Sequence, residues 1–285
     1  MYRFPIGVIL ESFRTERSVA IRQAAELGVQ GIQMYATYGE NAPENLNAAA
    51  RRELLDEVTS SGLVFSALCG DLGRGFGNSA LNPALIERSK RIVDLALDLG
   101  TDIVTTHIGV VPEDPTEERY KIMQEACYEL SRYADSVGAH FAIETGPETA
   151  ATLKRFLDGL GSRGVAVNLD PANLCMVTGD DPVQAVYTLR DYIVHTHAKD
   201  GNLLYKTKPE YIYGVLHPVP QELEGIRFFE EVPLGTGSVD FPRYLQALEE
   251  IGYTGFLTIE REVGEKPAAD IQTAVSFLNR VMDNH

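Results

Sequence analysis

Residues 140–200 read HFAIETGPETAATLKRFLDGLGSRGVAVNLDPANLCMVTGDDPVQAVYTLRDYIVHTHAKD. Three short apolar runs, at 140–144, 164–169 and 192–197, are separated by segments of helical period at 149–160 and 181–190. Brief runs rich in Val, Ile and Phe read as strands, and the intervening segments have the length of crossover helices. Strands that alternate with helices imply right-handed crossovers and a parallel sheet. Each run is also closed by a polar group, in turn Glu144, Asp170 and His197.

Outward from this stretch the same alternation continues. Further strands are expected at 4–10, 30–35, 63–68, 102–107 and 254–260, and further helices at 16–27, 46–61, 82–99, 116–137, 240–251 and 268–282. Before several strands the helical pattern ends in one punctuation, ELGVQGI, SSGLVF, DLGTDIV, SVGAHF and EIGYTGF. A glycine there takes the left-handed conformation that stops a helix. Eight such units and no spare domain favour an α/β fold, a (β/α)8 TIM barrel as a single domain over 1–285. The rival is a doubly wound open sheet, but no GxGxxG follows the first strand. Two loops are long: the glycine-rich 69–81, expected as a flexible lid, and 198–239, expected as an insertion on the catalytic face.

The net charge of −16 argues against a nucleic-acid surface, which needs clustered Lys and Arg. The start, MYRFPIGVILESF, has too short an apolar run for a signal peptide or a membrane span. Three cysteines, Cys69, Cys127 and Cys175, show no CxxC spacing, so neither a disulfide framework nor a structural zinc site is expected. The expected setting is the cytoplasm and the expected partner a small molecule. Neither nucleic acid nor membrane is expected, and a homo-oligomer is left open.

Glu260 closes the run GFLTIE and completes a set of four with Glu144, Asp170 and His197. The spacings are 170 − 144 = 26, 197 − 170 = 27 and 260 − 197 = 63. The first two match one strand–helix unit and the third one unit plus an insertion. In a closed barrel all four side chains would meet at the mouth, where active sites of that fold lie. Three carboxylates and an imidazole form a hard set suited to one divalent ion, Mn²⁺ first, with Mg²⁺, Co²⁺ or Zn²⁺ as alternatives. Taken singly, each acid could equally be an ion pair under a loop. Asp170 could also cap a helix beginning at Pro171, and Glu262 shares the strand parity of Glu260 and competes for its role. His195 lies on the same side of its strand as His197, either behind the ligand or as a satisfied core histidine. His107, closing TTHIG, is read as substrate-binding or as a loop cap. Lys199 is read as holding a substrate oxygen or neutralising a carboxylate, against an ordinary solvated charge. LGTGSVDF at 234–241 reads as a tight turn into a helix, with a phosphate site as the alternative.

The fragments IETG (143–146), NLDPANL (168–174), HTHAKD (195–200), LGTGSVDF (234–241) and GYTGFLTIE (252–260) together resemble the xylose isomerase-like barrel superfamily, in its sugar phosphate isomerase/epimerase branch. The resemblance covers essentially the whole chain. It implies one ion, commonly Mn²⁺, on Glu144, Asp170, His197 and Glu260. It also implies that Glu144 and Glu260 are catalytic, moving protons on either face of a ketose or related polyol. There are departures. Where ketose 3-epimerases of this superfamily contact substrate through a histidine three residues past the sixth-strand aspartate, this chain has Asn173. Where they carry an arginine six residues past the seventh-strand histidine, it has Leu203. Asn173 is kept as a substrate-binding candidate, and Arg227 is a stand-in for the arginine. The expected function is a metal-dependent sugar isomerase or epimerase. An inosose or keto-sugar dehydratase or lyase on the same site is the alternative, and a non-catalytic polyol-binding barrel the reading from another class. An endonuclease IV-like repair enzyme is disfavoured, because its trinuclear zinc site is histidine-rich and its DNA groove basic. Here the chain has six histidines, of which only His107, His195 and His197 lie on candidate strand ends.

Overall fold

The parallel strands of the computed structural model, which describes residues 3–284, close into a barrel. In chain order they are β1 (Ile6–Ile9), β2 (Gly31–Tyr35), β3 (Val64–Cys69), β4 (Ile103–Thr106), β5 (His140–Glu144), β6 (Val165–Leu169) and β7 (Ile193–Ala198). A hairpin, β8 (Asp200–Leu203) and β9 (Phe229–Val232), precedes the last barrel strand, β10 (Leu257–Ile259). The order around the barrel is β1-β10-β7-β6-β5-β4-β3-β2. Outside it lie α1 (Arg17–Glu26), α2 (Ala48–Ser60), α3 (Asn82–Asp98), α4 (Glu118–Val137), α5 (Ala150–Asp158), α6 (Pro182–Leu189), α7 (Phe241–Glu250) and α8 (Pro267–Asp283). This is the expected (β/α)8 barrel. The five punctuating glycines, Gly28, Gly62, Gly100, Gly138 and Gly252, all have φ between 71° and 81°.

Strand parity divides the side chains. Val104, Phe141, Val165, Val167, Leu169, Leu257 and Ile259 belong to the buried apolar core. The opposite parity carries Gln33, Thr105, Asn168, His195 and Thr258, all buried. Gln33 reaches Thr105 across the interior, its Nε2 donating to Thr105 Oγ1 at 3.1 Å. The barrel is thus filled by a polar layer directly below its mouth, a costly arrangement unless those groups find partners. Lower down, Gly31 has no room for a side chain, because a Cβ there would collide with the Phe256 ring.

Two expectations about loops need correction. Segment 198–239 is not simply a loop: β8 and β9 pair antiparallel within it, Asp200 opposite Val232 and Leu203 opposite Phe229. Nor is 69–81 a free lid. Phe76 is buried, its N–H donates to Ile108 O at 2.9 Å, and Asn82 Nδ2 donates to Phe76 O at 2.9 Å.

The loop after β5 is tied to the loop after β4 by Glu148, whose Oε2 accepts from Val111 N at 3.2 Å while Oε1 has no partner. Burial pushes this carboxyl up to about 8, from an ordinary 4.5. The folded chain therefore keeps a proton there that the unfolded chain releases above pH 4.5. The stability this proton carries is complete below the unfolded value and is lost as pH rises through about 8. Glu148→Gln should gain Tm relative to the parent as pH rises across that window. Thermal unfolding at a series of pH values checks this, and parallel curves for the two proteins would contradict it.

Candidate metal centre

Glu144 ends β5, Asp170 follows β6, His197 lies in β7 and Glu260 follows β10. One ligand atom from each lies within 4.8 Å of the others. His197 Nδ1 is the nitrogen turned towards the acids, 3.3 Å from Glu260 Oε2, 3.5 Å from Asp170 Oδ2 and 3.7 Å from Glu144 Oε1. All four residues are buried.

Asp170 fills the capping role with one oxygen and turns the other towards the cluster. Oδ1 caps the helical turn Pro171–Asn173, accepting from Asn173 N at 2.8 Å. Oδ2 points into the cluster and is buried without a hydrogen-bond partner. A buried carboxylate oxygen left bare is expensive, and three carboxylates around one imidazole leave an excess of negative charge. The donor set and the bare oxygen together fit a divalent cation.

Neighbouring groups hold the cluster in place. Glu144 Oε1 accepts from Asn173 Nδ2 at 2.9 Å and lies 3.5 Å from His107 Nε2, while Oε2 accepts from Asn168 Nδ2 at 3.3 Å. Glu260 Oε2 lies 2.9 Å from Lys199 Nζ. Burial raises the carboxyl of Glu144, but His107 and His197 outweigh it and hold the group below its usual range. For Glu260, Lys199 and His197 outweigh burial and the depression is larger. Asp170 goes the other way, raised by burial to about 6.

Gln33, which sequence reading passed over, sits behind the imidazole with Oε1 3.2 Å from His197 Nε2. With an ion on Nδ1, Gln33 Oε1 would accept from Nε2–H and fix the orientation of the ring, while Asn168 Nδ2 lies equally near Nε2 at 3.2 Å. Gln33→Leu should weaken divalent-ion affinity about 10- to 100-fold, the usual cost of losing such a partner. Competition against a chromogenic chelator measures it, and unchanged affinity would contradict the role given to Gln33.

The remaining candidates fall into place unevenly. His107, Asn173, Lys199 and Arg227 line the same cavity, about 520 Å³, as Glu144 and Glu260. Arg227 stands at the rim, 67% exposed and 3.3 Å from Glu230. Asn173 and Lys199 act within the protein, on Glu144 and Glu260 respectively. Glu262 is no rival to Glu260: its side chain is 57% exposed and meets Lys199 from outside at 2.6 Å. His195 is buried, but as a core histidine it is not satisfied, since Nε2 has no partner. Its ring stands 6.0 Å from that of His197. Tyr35, Asp71 and Glu231 also line the cavity and were missed, and Tyr213 lines it from the insertion expected there. Gln33 and Asn168 carried a signal, each a lone amide in an apolar strand.

A family described as the xylose isomerase-like TIM barrel matches residues 21–281 of the chain. A xylose isomerase domain protein from Planctomyces limnophilus superposes with a TM-score of 0.78 at 24% identity, covering 99% of this chain and 97% of that one. A Haemophilus influenzae protein provisionally called the L-ribulose-5-phosphate 3-epimerase SgbU is 24% identical over 274 residues, 91% of this chain and 89% of its own. An inosose dehydratase of Clostridium beijerinckii is 25% identical over 152 residues, 51% of this chain and 48% of its own. The chain thus spans about half the length of that dehydratase, and it spans 64% and 38% of two further curated relatives.

Proposed function

The chain belongs to the xylose isomerase-like TIM barrel family, and from that membership we propose that it is a divalent-metal-dependent sugar isomerase or epimerase. It would act by proton transfer beside the carbonyl of a keto-sugar or related polyol. One observation carries the reading: Glu144 and Glu260, three strands apart around the barrel, converge with Asp170 and His197 beneath one cavity. Relatives named as a sugar-phosphate epimerase and an inosose dehydratase support it.

When bound by Glu144, Asp170, His197 and Glu260, a divalent ion, Mn²⁺ first, supplies a Lewis acid that draws charge from a substrate carbonyl. Glu144 and Glu260 form the acid/base pair. Their neighbours hold both below the ordinary carboxylate range, so each enters neutral solution as an ionised acceptor. One removes the proton from the carbon beside the carbonyl and later releases it to solvent, while the other, across the mouth, first takes up a proton from solvent and then delivers it to the opposite face. Asn173 and Lys199 fix the two carboxylates in place.

His107 favours a second reading, the dehydratase. Burial opposes charge on its ring, but Glu144 and Asp71 prevail and raise it above its ordinary value, which suits a general acid. After loss of the proton beside the carbonyl, His107 would protonate the hydroxyl on the next carbon. That C–O bond breaks as the C=C bond forms, and water leaves. The free cysteines Cys69, Cys127 and Cys175 support a reducing cytoplasmic setting. Among the described residues no helix is long and apolar enough to cross a membrane.

A screen of ketoses, inososes and 3-keto-glycosides with Mn²⁺, followed by NMR, tests the proposal. A shifted carbonyl or inverted hydroxyl is expected, whereas an unsaturated ketone would select the dehydratase. No conversion of any α-hydroxycarbonyl would contradict both and leave a non-catalytic polyol-binding barrel.

A further inference from the structure

We infer that the site is built for an uncharged sugar or polyol and discriminates against sugar phosphates. The inference deepens the sugar-isomerising reading above and rests on it. It comes from the cationic side chains around the cavity, each of which faces an acid, and from the N–H donors of the turn before α7, which already hold an anion.

Beyond the two ligand glutamates, Asp71, Glu230, Glu231 and Glu262 line the cavity. Its cationic side chains are Lys199 and Arg227, and each already faces acids. Lys199 Nζ is 2.9 Å from Glu260 and 2.6 Å from Glu262, and Arg227 is 3.3 Å from Glu230. His107 is 3.5 Å from Glu144. A phosphate dianion would therefore meet walls of its own sign, with each cationic side chain of the lining already facing an acid. The hydroxyls of a sugar meet no such penalty and can donate to the acids.

Barrels of this type often bind phosphate without cationic side chains, on backbone N–H groups of the loops after strands 7–8. Here the matching cradle is filled from within. Asp200, the first residue of β8, turns its carboxylate into the turn that precedes α7. Oδ1 accepts from Gly201 N at 2.9 Å and Val239 N at 3.1 Å, and Oδ2 from Gly237 N at 2.9 Å and Gly235 N at 3.0 Å. Four donors converge on one buried carboxylate, an arrangement suited to an anion. Residue 237 has to be glycine, since a Cβ there would collide with that carboxylate. The first turn of α7 is closed in the same way, Asp240 Oδ1 accepting from Arg243 N at 3.2 Å. The segment that read as either a tight turn or a phosphate site is thus a turn whose anion is part of the chain.

Calorimetric titrations of metal-free and Mg²⁺-loaded protein with D-fructose and D-fructose 6-phosphate, sorbitol and sorbitol 6-phosphate, and inorganic phosphate alone test this. The neutral member of a pair is expected to bind about tenfold or more tighter than its phosphate, and inorganic phosphate to show no saturable binding to the parent protein. Asp200→Ala, which frees the four donors, should acquire saturable phosphate binding. A sugar phosphate bound as tightly as its neutral partner, or inorganic phosphate bound saturably by the parent protein and displaced by the neutral sugar, would overturn the inference. The parent titrations decide the matter whether or not the variant folds. Preferred conversion of phosphorylated sugars would overturn it and leave the isomerase reading standing. Failure of every sugar to react counts against that reading alone, because binding is measured separately.

Discussion

Expressed with Mn²⁺, the double variant Glu144→Gln, Asp170→Asn is expected to keep less than about a tenth of the divalent ion that the parent protein holds, one per chain. The two changes take two of three negative charges from the ligand set and leave His197 with Glu260, which Lys199 already holds at 2.9 Å. The fold should survive. A glutamine at 144 still offers its carbonyl oxygen to Asn173 Nδ2, and a flip of Asn168 would turn its unpartnered Oδ1 to the new NH2; an asparagine at 170 still offers an oxygen to Asn173 N. Loss of metal should therefore come without loss of the circular-dichroism spectrum, and turnover should fall with the metal. Elemental analysis after gel filtration checks the stoichiometry. Equal metal content in the two proteins would remove the proposed centre.

Lys199→Met is expected to destabilise the metal-free protein by about 3–5 kcal/mol, the usual cost of removing one partner from a buried pair. Lys199 and Glu260 are both buried, and methionine fills most of the space without the charge. In the metal-free variant Glu144, Asp170 and Glu260 would share His197 as their one buried counter-charge in the cluster. Saturating Mn²⁺ supplies the missing charge, so it should raise the Tm of the variant more than that of the parent. Thermal unfolding with and without the ion separates the cases. An equal deficit under both conditions would show that Lys199 stabilises the fold by packing and not as a charge for the cluster.

Much of this molecule was legible before its structure. Apolar runs and left-handed glycines located the barrel units to within a residue or two, because each depends on local physics: burial on two faces for the strand, a positive φ for the helix stop. The eighth barrel strand came out shorter, Leu257–Ile259 within the expected 254–260. The cluster of three acids and one imidazole was legible because strand ends in a closed barrel have to meet.

The hairpin was not legible. DGNL and FEEV are separated by 25 residues with no turn signal of their own, and their pairing is set by tertiary contacts that no periodicity reports. Nor could spacing reveal that Asn173 serves Glu144, or that Lys199 lies buried between Glu260 and Glu262. Such partnerships depend on side-chain reach rather than on chain order. The phosphate alternative for 234–241 was open for the same reason, since the carboxylate that fills the turn arrives from residue 200, 34 positions earlier than its first residue.

Conversion of a keto-sugar in D2O with Mn²⁺ present tests the roles of Glu144 and Glu260 most directly. Deuterium is expected at the carbon beside the carbonyl, and either Glu144→Gln or Glu260→Gln should suppress its entry about 10²- to 10⁴-fold. Turnover with no solvent deuterium at that carbon, under conditions where the intermediate exchanges, would mean an internal hydride shift and would contradict proton transfer by the two glutamates.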